Sequence, residues 1–473
     1  MDVVMKKPLL MGIAWTLTQC CLADFAYAAQ ALGISQALAL ASQNSGKLGG
    51  ANAAVTQAQE QVQAVAGLGG PILALTGMGY SFERQQNISL QPYASNINGM
   101  ISGLPIPPSA LPIPIDIPTL PDSVNLHVRK TGAVGFVNAI LPLYTGGRID
   151  GVRGVAAGRA SESVANAQQE RDEVQATLIQ RYFGVQATAQ VAQLREAARV
   201  GVAEHLATAK RMEAAGLLAK VERLQADVAY ANALRDAAKA QHDSALARRA
   251  LDSMLDTEYA AAVLATPLFV DTRDLEPLEH YVTRALAAHP GMAIVSAKRQ
   301  QTEGLHQIEE GIHKPSVFAY GVAEPHKGRP DWMVGIVLNW VLIDGTDRAA
   351  LSRSSVAAAQ RVDQAERQAR QDIALLVERN YRNLDQAKLK YLALRADEEL
   401  AREYLRLRVK SLASGLGTAV EVIDAQLNLA KVQAEQTGAA YEYSMALVAL
   451  LSTTGELANF PQLAQSADIQ HPQ

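Results

Sequence analysis

Two hydrophobic periods alternate along this chain, and their order predicts its elements. Apolar residues at helical spacing run through residues 29 to about 69, in ISQALALASQN and AAVTQAQEQVQAVAG, with Gly49-Gly50 between them as the expected break. From Pro71 the period changes to two. Ile72, Ala74, Thr76, Met78, Tyr80 and Phe82 then share one face, and Leu73, Leu75, Gly77, Gly79 and Ser81 the other. A second alternating segment, VGFVNAILPL, spans 134–143, and two more follow at 316–323 (SVFAYGVA) and 333–343 (MVGIVLNWVLI). Strands are therefore expected at about 71–84, 131–144, 315–323 and 333–343. After the second and fourth strands come the turns LPLYTGGR and VLIDGTDR, and then roughly 65 residues without proline. At 1.5 Å per residue each such helix would be about 100 Å long, a length that implies coiled-coil packing.

The pattern occurs twice. Gly216 and Gly415 lie 199 positions apart, as do Glu222 and Glu421. Val174, Leu178, Tyr182 and Val185 meet Ile373, Val377, Tyr381 and Leu384 in the same ungapped register. Such internal repetition sets the architecture. The expected plan is a signal peptide (1–28), a first repeat (29–255) with its hairpin tip near 216, and a linker (256–280). A second repeat (281–455) with its tip near 415 and a polar, loosely held tail (456–473) complete it. A Pro-rich stretch, 103–122, interrupts the first pair of strands and is expected to be extended loop.

Composition narrows the class. Lys6 and Lys7, an apolar run from Pro8 to Leu22, and Ala26-Tyr27-Ala28 describe a cleavable export signal. A lipoprotein signal at Leu17-Thr18-Gln19-Cys20 is the rival, but Gln19 stands where a small residue is usual. The chain's 2 cysteines, Cys20 and Cys21, both fall in this segment, so the mature protein is expected to lack disulfides and thiol chemistry. A net charge of −4 gives no basic stripe for a nucleic acid. The histidines have no ligand spacing, and no nucleophile–base pair, P-loop or paired carboxylates stand out. No cofactor, no metal and no enzymatic activity are expected.

Four strands cannot close a membrane barrel, whose smallest form has eight, and an open sheet in lipid would leave edge N–H and C=O groups unpaired. Membrane strands here would require several chains to share one barrel. Two chains would give eight strands, a barrel whose lumen side chains fill; three would give twelve, with Gly77, Gly79, Ala319 and Gly321 expected inward, leaving space for a pore.

The duplicated halves, the strand–turn–helix junctions LPLYTGGR and VLIDGTDR, and GLGTAVEVIDAQLNLAKVQ resemble the outer-membrane efflux protein family, the TolC-like outer-membrane factors. The resemblance covers the whole mature chain. It implies a mainly α fold of long helical hairpins with a trimeric twelve-stranded membrane β-barrel. It also implies an outer-membrane location extending into the periplasm. The function it implies is a passive exit duct for efflux or type I secretion, fed by an inner-membrane pump through a periplasmic adaptor. A soluble periplasmic coiled-coil scaffold is the rival, and it leaves the four matched strand segments unexplained.

The resemblance also assigns residues. Glu421 and Asp424, three apart on one helix face, and Glu222 in the first repeat match acidic rings at the closed inner end of the tunnel. The plain alternative is that these carboxylates are solvated, as on most long helices. Gly216, Leu217, Gly415 and Leu416 match tips that dock the adaptor; ordinary turn packing is the alternative. Phe136, Tyr144, Trp332 and Trp340 suit an aromatic girdle against outer-membrane lipid, or core positions. Leu412 and Gly417 depart from the family, where an aromatic and a basic residue latch the gate.

Overall fold

A computed structural model describes residues 31–103, 118–255, 263–325 and 328–470. The export signal with Cys20, Cys21 and the lipidation alternative, and most of the Pro-rich stretch, lie outside the described residues. In chain order the main elements are β1 (Ala31–Leu32), α1 (Ile34–Asn44), α2 (Gly46–Ala66), β2 (Ile72–Ser89) and α3 (Gln91–Ser102). Then come β3 (Ser123–Tyr144), α4 (Arg148–Ala214), α5 (Lys220–Asp252), β4 (Val263–Leu264), β5 (Phe269–Val270), α6 (Leu278–Ala288) and α7 (Pro290–Ile312). The last group is β6 (Ser316–Glu324), β7 (Asp331–Asn339), α8 (Arg348–Ala413), α9 (Ala419–Thr454), α10 (Phe460–Ser466) and β8 (Ile469–Gln470). The architecture is mainly helical, with one four-stranded sheet.

Two compact units divide the chain, and both draw on both repeats. One comprises Met1–Ala54, Val164–Ala293 and Arg367–Gln473 within its described residues; the other comprises Val55–Ser163 and Ile294–Glu366.

In the first unit the repeat register becomes packing. Leu178, Tyr182 and Val185 of α4 and Ile373, Val377 and Leu384 of α8 are buried in one core, with Tyr381 packed against it. An aromatic cluster sits at its centre: Phe183 lies 5.9 Å from Phe269 and 5.8 Å from Phe460, and Tyr182 lies 5.3 Å from Phe183. The buried Tyr182 hydroxyl donates to the Leu32 carbonyl (2.7 Å) and accepts from the Thr266 N–H (3.0 Å), so its polar end is satisfied.

This core corrects one expectation. The inter-repeat segment 256–280, expected as a linker or equatorial segment, contributes Leu264, Leu268, Phe269 and Val270 to it, all buried. The tail, expected to be loosely held, is part of the core as well. Leu457, Phe460 and Ala464 repeat at helical spacing and are buried, β8 pairs with β5, and Asp468 accepts from the Thr272 N–H at 2.8 Å. The first helical break also moves: it falls at Ser45, and Gly49-Gly50 lie inside α2.

The second unit is built around an antiparallel sheet of order β2-β3-β6-β7. Pairing of β2 with β3 runs from Ile72↔Ile140 to Ser89↔Ser123. Both strands thus extend well past the expected ends, while β7 stops at Asn339 and leaves Trp340–Ile343 in the following turn. The interruption between β2 and β3 is shorter than expected and contains α3. Its base is clamped by Asn98, whose side-chain amide exchanges two 3.0 Å hydrogen bonds with the Leu120 backbone.

Beside the sheet, α4 and α7 meet backbone to backbone. A Cβ on Gly151 would stand 2.6 Å from the Gly304 carbonyl oxygen, and one on Gly304 would stand 2.7 Å from that of Gly151. Only glycine permits this approach. The junctions into the long helices also follow local chemistry. Gly146 and Gly147 take positive φ before α4, and Asp347 caps α8 by accepting from the Ala350 N–H at 2.9 Å.

Candidate functional site: two hairpin turns and an apolar sheet face

The two hairpin turns share a backbone design. Gly216 and Gly415 have φ of 73° and 75°. In the first, Leu217 N–H donates to Met212 (2.8 Å) and Gly216 N–H to Glu213 (2.9 Å). In the second, Leu416 N–H donates to Ser411 (3.0 Å) and Gly415 N–H to Leu412 (3.0 Å). Each is the paired C-terminal cap in which a left-handed glycine lets the chain satisfy the last carbonyls and leave the helix. Immediately after the glycine, each turn presents a leucine to water: Leu217 is 73 % and Leu416 is 86 % exposed. Their neighbours anchor the tips. Leu218 and Leu412 pack against a common cluster of Val202, Leu206, Ala209, Ala226, Ala419 and Ile423.

Side chains hold the two turns differently. At the first, Arg223 pairs with Glu213 (2.9 Å) and with Asp227, and Lys210 approaches Asp227 at 3.4 Å. Partial burial alone would push the Asp227 carboxyl up, but the hydrogen bonds from Arg223 and Lys210 hold it below the usual carboxylate range. Helix α5 starts at Ala219, which has no capping oxygen; Glu222 reaches back to the Ala219 N–H at 3.4 Å.

At the second, Thr418 and Glu421 form a reciprocal capping box. Thr418 N–H donates to Glu421 Oε2 (3.2 Å), and Glu421 N–H donates to Thr418 Oγ1 (3.3 Å). The other oxygen of Glu421 lies 3.2 Å from the Arg408 guanidinium, which stacks 5.0 Å over the Tyr404 ring. Hydrogen bonding to Tyr404, with Glu421 beside it, raises the Arg408 pKa.

Glu222 and Glu421 are therefore both engaged at helix starts, whereas Asp424 is exposed while its neighbours Val422, Ile423 and Ala425 are buried. Arg408 escaped sequence reasoning, since it lies on the far side of the turn from Glu421. The Tyr404–Arg408 spacing of four was its one signal. Gly417 also acquires a reason: a Cβ there would stand 2.7 Å from Ser411 Oγ and 3.3 Å from Glu421 Oε2. The capping box occupies the space a basic side chain would need.

In the sheet, directly opposed residues share a face. The register places Leu73, Leu75, Gly77, Gly79, Ala133, Gly135, Val137, Ala139 and Leu141 with Val317, Ala319, Gly321, Ala323, Trp332, Val334, Ile336 and Leu338. No polar side chain interrupts that face. The opposite face carries Thr76, Tyr80, Asn138 and Tyr320 among its apolar residues, and Asn138 donates to Thr76 at 2.9 Å. On β2 and β7 the apolar face is the more open one. Its large residues range from Leu338 at 64 % to Leu75 at 79 % exposed, against Ile88 at 39 % to Ile72 at 58 % on the other. That is the signature of the convex side of a curved sheet. Gly77, Gly79, Ala319 and Gly321 lie on this convex apolar face.

The aromatic candidates separate accordingly. Trp332 and Tyr144, opposite Val317, belong to the apolar face at its two ends, while Phe136 is on the polar-bearing face. Trp340 follows β7, exposed, with its indole N–H donating to the His313 carbonyl at 3.2 Å. Among the described residues no group of three or more His, Cys, Asp or Glu side chains could hold a metal ion, and no helix is long and apolar enough to cross a membrane.

Residues 284–456 match the family model of the outer membrane efflux protein. That stretch, most of the second repeat, is where the sequence is similar to the outer membrane efflux protein family. None of the curated proteins matches the chain. Among solved structures the outer-membrane channel OprN superposes with a TM-score of 0.71 at 15 % identity, covering 89 % of this chain and 90 % of its own. The outer-membrane protein VceC of Vibrio cholerae gives 0.71 at 14 % identity, covering 89 % and 96 %. The CmeC outer-membrane channel of Campylobacter jejuni gives 0.69 at 12 % identity, covering 92 % and 90 %. This chain thus has the outer-membrane efflux channel fold along nearly its whole length, although the family's sequence pattern is confined to the second repeat.

Proposed function

We propose that this chain is an outer membrane efflux protein, the passive exit duct of a tripartite efflux or type I secretion system. It works as a homotrimer whose four-stranded sheets join into one twelve-stranded barrel. The observation that carries the reading is the sheet itself. Among the described residues its outer strands β2 and β7 each have an unpaired edge, and its convex face is apolar without interruption as far as Gly79↔Ala133. In lipid such edges must be paired by other copies. The apolar face then meets lipid, and Thr76, Tyr80, Asn138 and Tyr320 line the lumen. From Trp332 to Trp340 the strand rises about 26 Å at 3.3 Å per residue, close to the height of a barrel's apolar band. Trp332 at one end and Tyr144 and Trp340 at the other form the girdles; Phe136 belongs to the lumen.

The inner end of the duct lies at the hairpin turns. Leu217 and Leu416 dock the periplasmic adaptor, which links the duct to an inner-membrane pump. Asp424 supplies the exposed charge of the acidic neck. Glu421 and Glu222 contribute by fixing the helix starts that carry it.

Single-channel recording in a planar bilayer tests the reading. The native trimer should give a small, cation-preferring conductance. Asp424→Asn should reduce the cation preference without changing the heat resistance of the trimer, and Glu421→Gln should increase conductance fluctuations by loosening the turn. A cation preference unchanged by Asp424→Asn would discard the acidic neck and keep the channel. A protein that forms no heat-resistant trimer and does not insert would refute the duct itself.

A further inference from the structure

The β2–β3 ribbon changes character halfway along its length. Up to Gly79↔Ala133 its convex face is apolar; from Ser81↔Thr131 onward every position on that face is polar. The pairs are Ser81↔Thr131, Glu83↔Arg129, Gln85↔His127, Asn87↔Asn125 and Ser89↔Ser123. They also bind one another: Ser81 and Thr131 share a hydrogen bond of 3.1 Å, and His127 lies 2.9 Å from Glu83. The other face changes in the opposite sense along β3. Below, it mixes Thr76, Tyr80 and Asn138 with Ile72, Met78 and Phe136; above, β3 places Val124, Leu126 and Val128 in succession, with Ile88, Gln86 and Arg84 opposite them on β2 and Lys130 next along β3. Val124, Leu126, Val128 and Ile88 are all exposed.

Nothing in the described part of this chain's sheet reaches that upper segment. Pairing of β6 with β3 begins only at Ala323↔Val137, so residues 123–136 pair with β2 alone. At 3.4 Å per residue, Ser81–Ser89 continues about 30 Å beyond the turnover. The convex face faces lipid below Ser81 and is built for water above it. The concave face, continuous from the lumen, is mixed below; above, its β3 side is an apolar strip, bordered on β2 by Arg84 and Gln86. An apolar strip facing the axis of the barrel is satisfied by the same strip on symmetry-related ribbons, because copies that close the barrel bring their ribbons to that axis.

We propose that the outer halves of three β2–β3 ribbons, from three copies of this chain, pack together through Val124, Leu126, Val128 and Ile88 above the barrel. They form an apolar constriction at the outer mouth of the duct. This rests on the trimeric reading above.

The test uses the full-length protein, purified as the trimer, in three single-cysteine variants: Leu126→Cys, Val128→Cys and, on the polar face, His127→Cys. Cys20 and Cys21 are the only cysteines of the chain, and both precede the expected cleavage point after Ala28. Wild-type trimers are verified first by heat-resistant migration. Their absence refutes the trimeric duct and this proposal together, before any cysteine is made.

Given trimers, a short bis-maleimide should link copies of the Leu126→Cys or Val128→Cys variant at least tenfold more than copies of His127→Cys. A bulky polyethylene-glycol maleimide should label Leu126→Cys at least tenfold more slowly than His127→Cys. Equal labelling and equal cross-linking of the two faces would overturn the proposal. So would a Leu126→Cys variant that is shielded from the bulky reagent yet never links copies. That result would assign the cover to the chain's own segment between Gly103 and Pro118.

Discussion

The two hairpin turns have the same backbone and opposite side-chain chemistry. Both leave the helix through a left-handed glycine, expose one leucine and place a glutamate at the third position of the next helix. The first is then held by charges that meet across the turn, Arg223 with Glu213 and Asp227. Their counterparts 199 positions later are Val422, Leu412 and Gln426, and all three charges are gone. The second turn is held instead by Thr418, Glu421 and Arg408, whose counterparts are Ala219, Glu222 and the buried Ala209. Duplication thus preserved the path of the chain while the means of holding it diverged. One turn depends on partly exposed ion pairs, which salt and acid weaken. The other depends on a local cap together with the single Arg408–Glu421 pair, and so leans less on charge.

Hydrogen exchange read separately over 213–227 and 412–426 can break this contrast. Arg223→Met takes the cation from Glu213 and leaves Asp227 with Lys210 alone, and should speed exchange in the first segment roughly tenfold while the second stays unchanged. Raising salt to about 0.5 M should act in the same direction, more weakly. Equal acceleration of both segments would mean that the tips open as one unit and that the two locks are not independent.

A reciprocal exchange sharpens the comparison. Thr418→Ala removes the cap and should cost about 1 kcal/mol, a several-fold increase in exchange confined to the second segment. Ala219→Thr installs the missing oxygen three residues before Glu222. It should slow exchange in the first by a similar factor or less. No gain from Ala219→Thr would show that the ion pairs already fix the first helix start.

The smallest effect comes from acid. Burial holds the His205 imidazole below its ordinary value, so the unfolded chain takes the proton first. Stability from that site is complete above about 6.5, the ordinary imidazole value, and falls as pH drops through the lower folded value. Asp227, also held low in the folded state, follows further into acid. At the second turn the place of His205 is taken by Tyr404, which does not gain a proton there. Exchange at pH 5.5 against pH 7.5 should therefore rise modestly in the first segment only, by about twofold, and His205→Phe should abolish the difference.

How much of this was legible in the sequence follows from where each partner lies. The hairpins and their tips were readable because an ungapped register repeats Leu178 and Tyr182 as Val377 and Tyr381. Strand positions were readable from alternation, but their ends were not. Past Phe82, β2 continues through Glu83, Arg84, Gln85 and Gln86, where the apolar signal fades although pairing with β3 persists. The uninterrupted apolar face could not be chosen from one strand, since both faces of β2 carry apolar residues. The register with β6 and β7 picks it out. The tail was misread because Phe460 finds its partners in Phe183 and Phe269, far away in sequence. Arg408 was missed for a similar reason: its carboxylate partner is reached only after the chain reverses.

The Asn98 clamp ties the two flanks of residues 104–117 to each other, side chain to the Leu120 backbone. A connection closed at its base costs only about 0.6 kcal/mol more for each doubling of its length. Residues inserted between Gly103 and Pro118 should therefore leave the pairing of β2 with β3 intact, which the thermal stability of such an insertion variant would show.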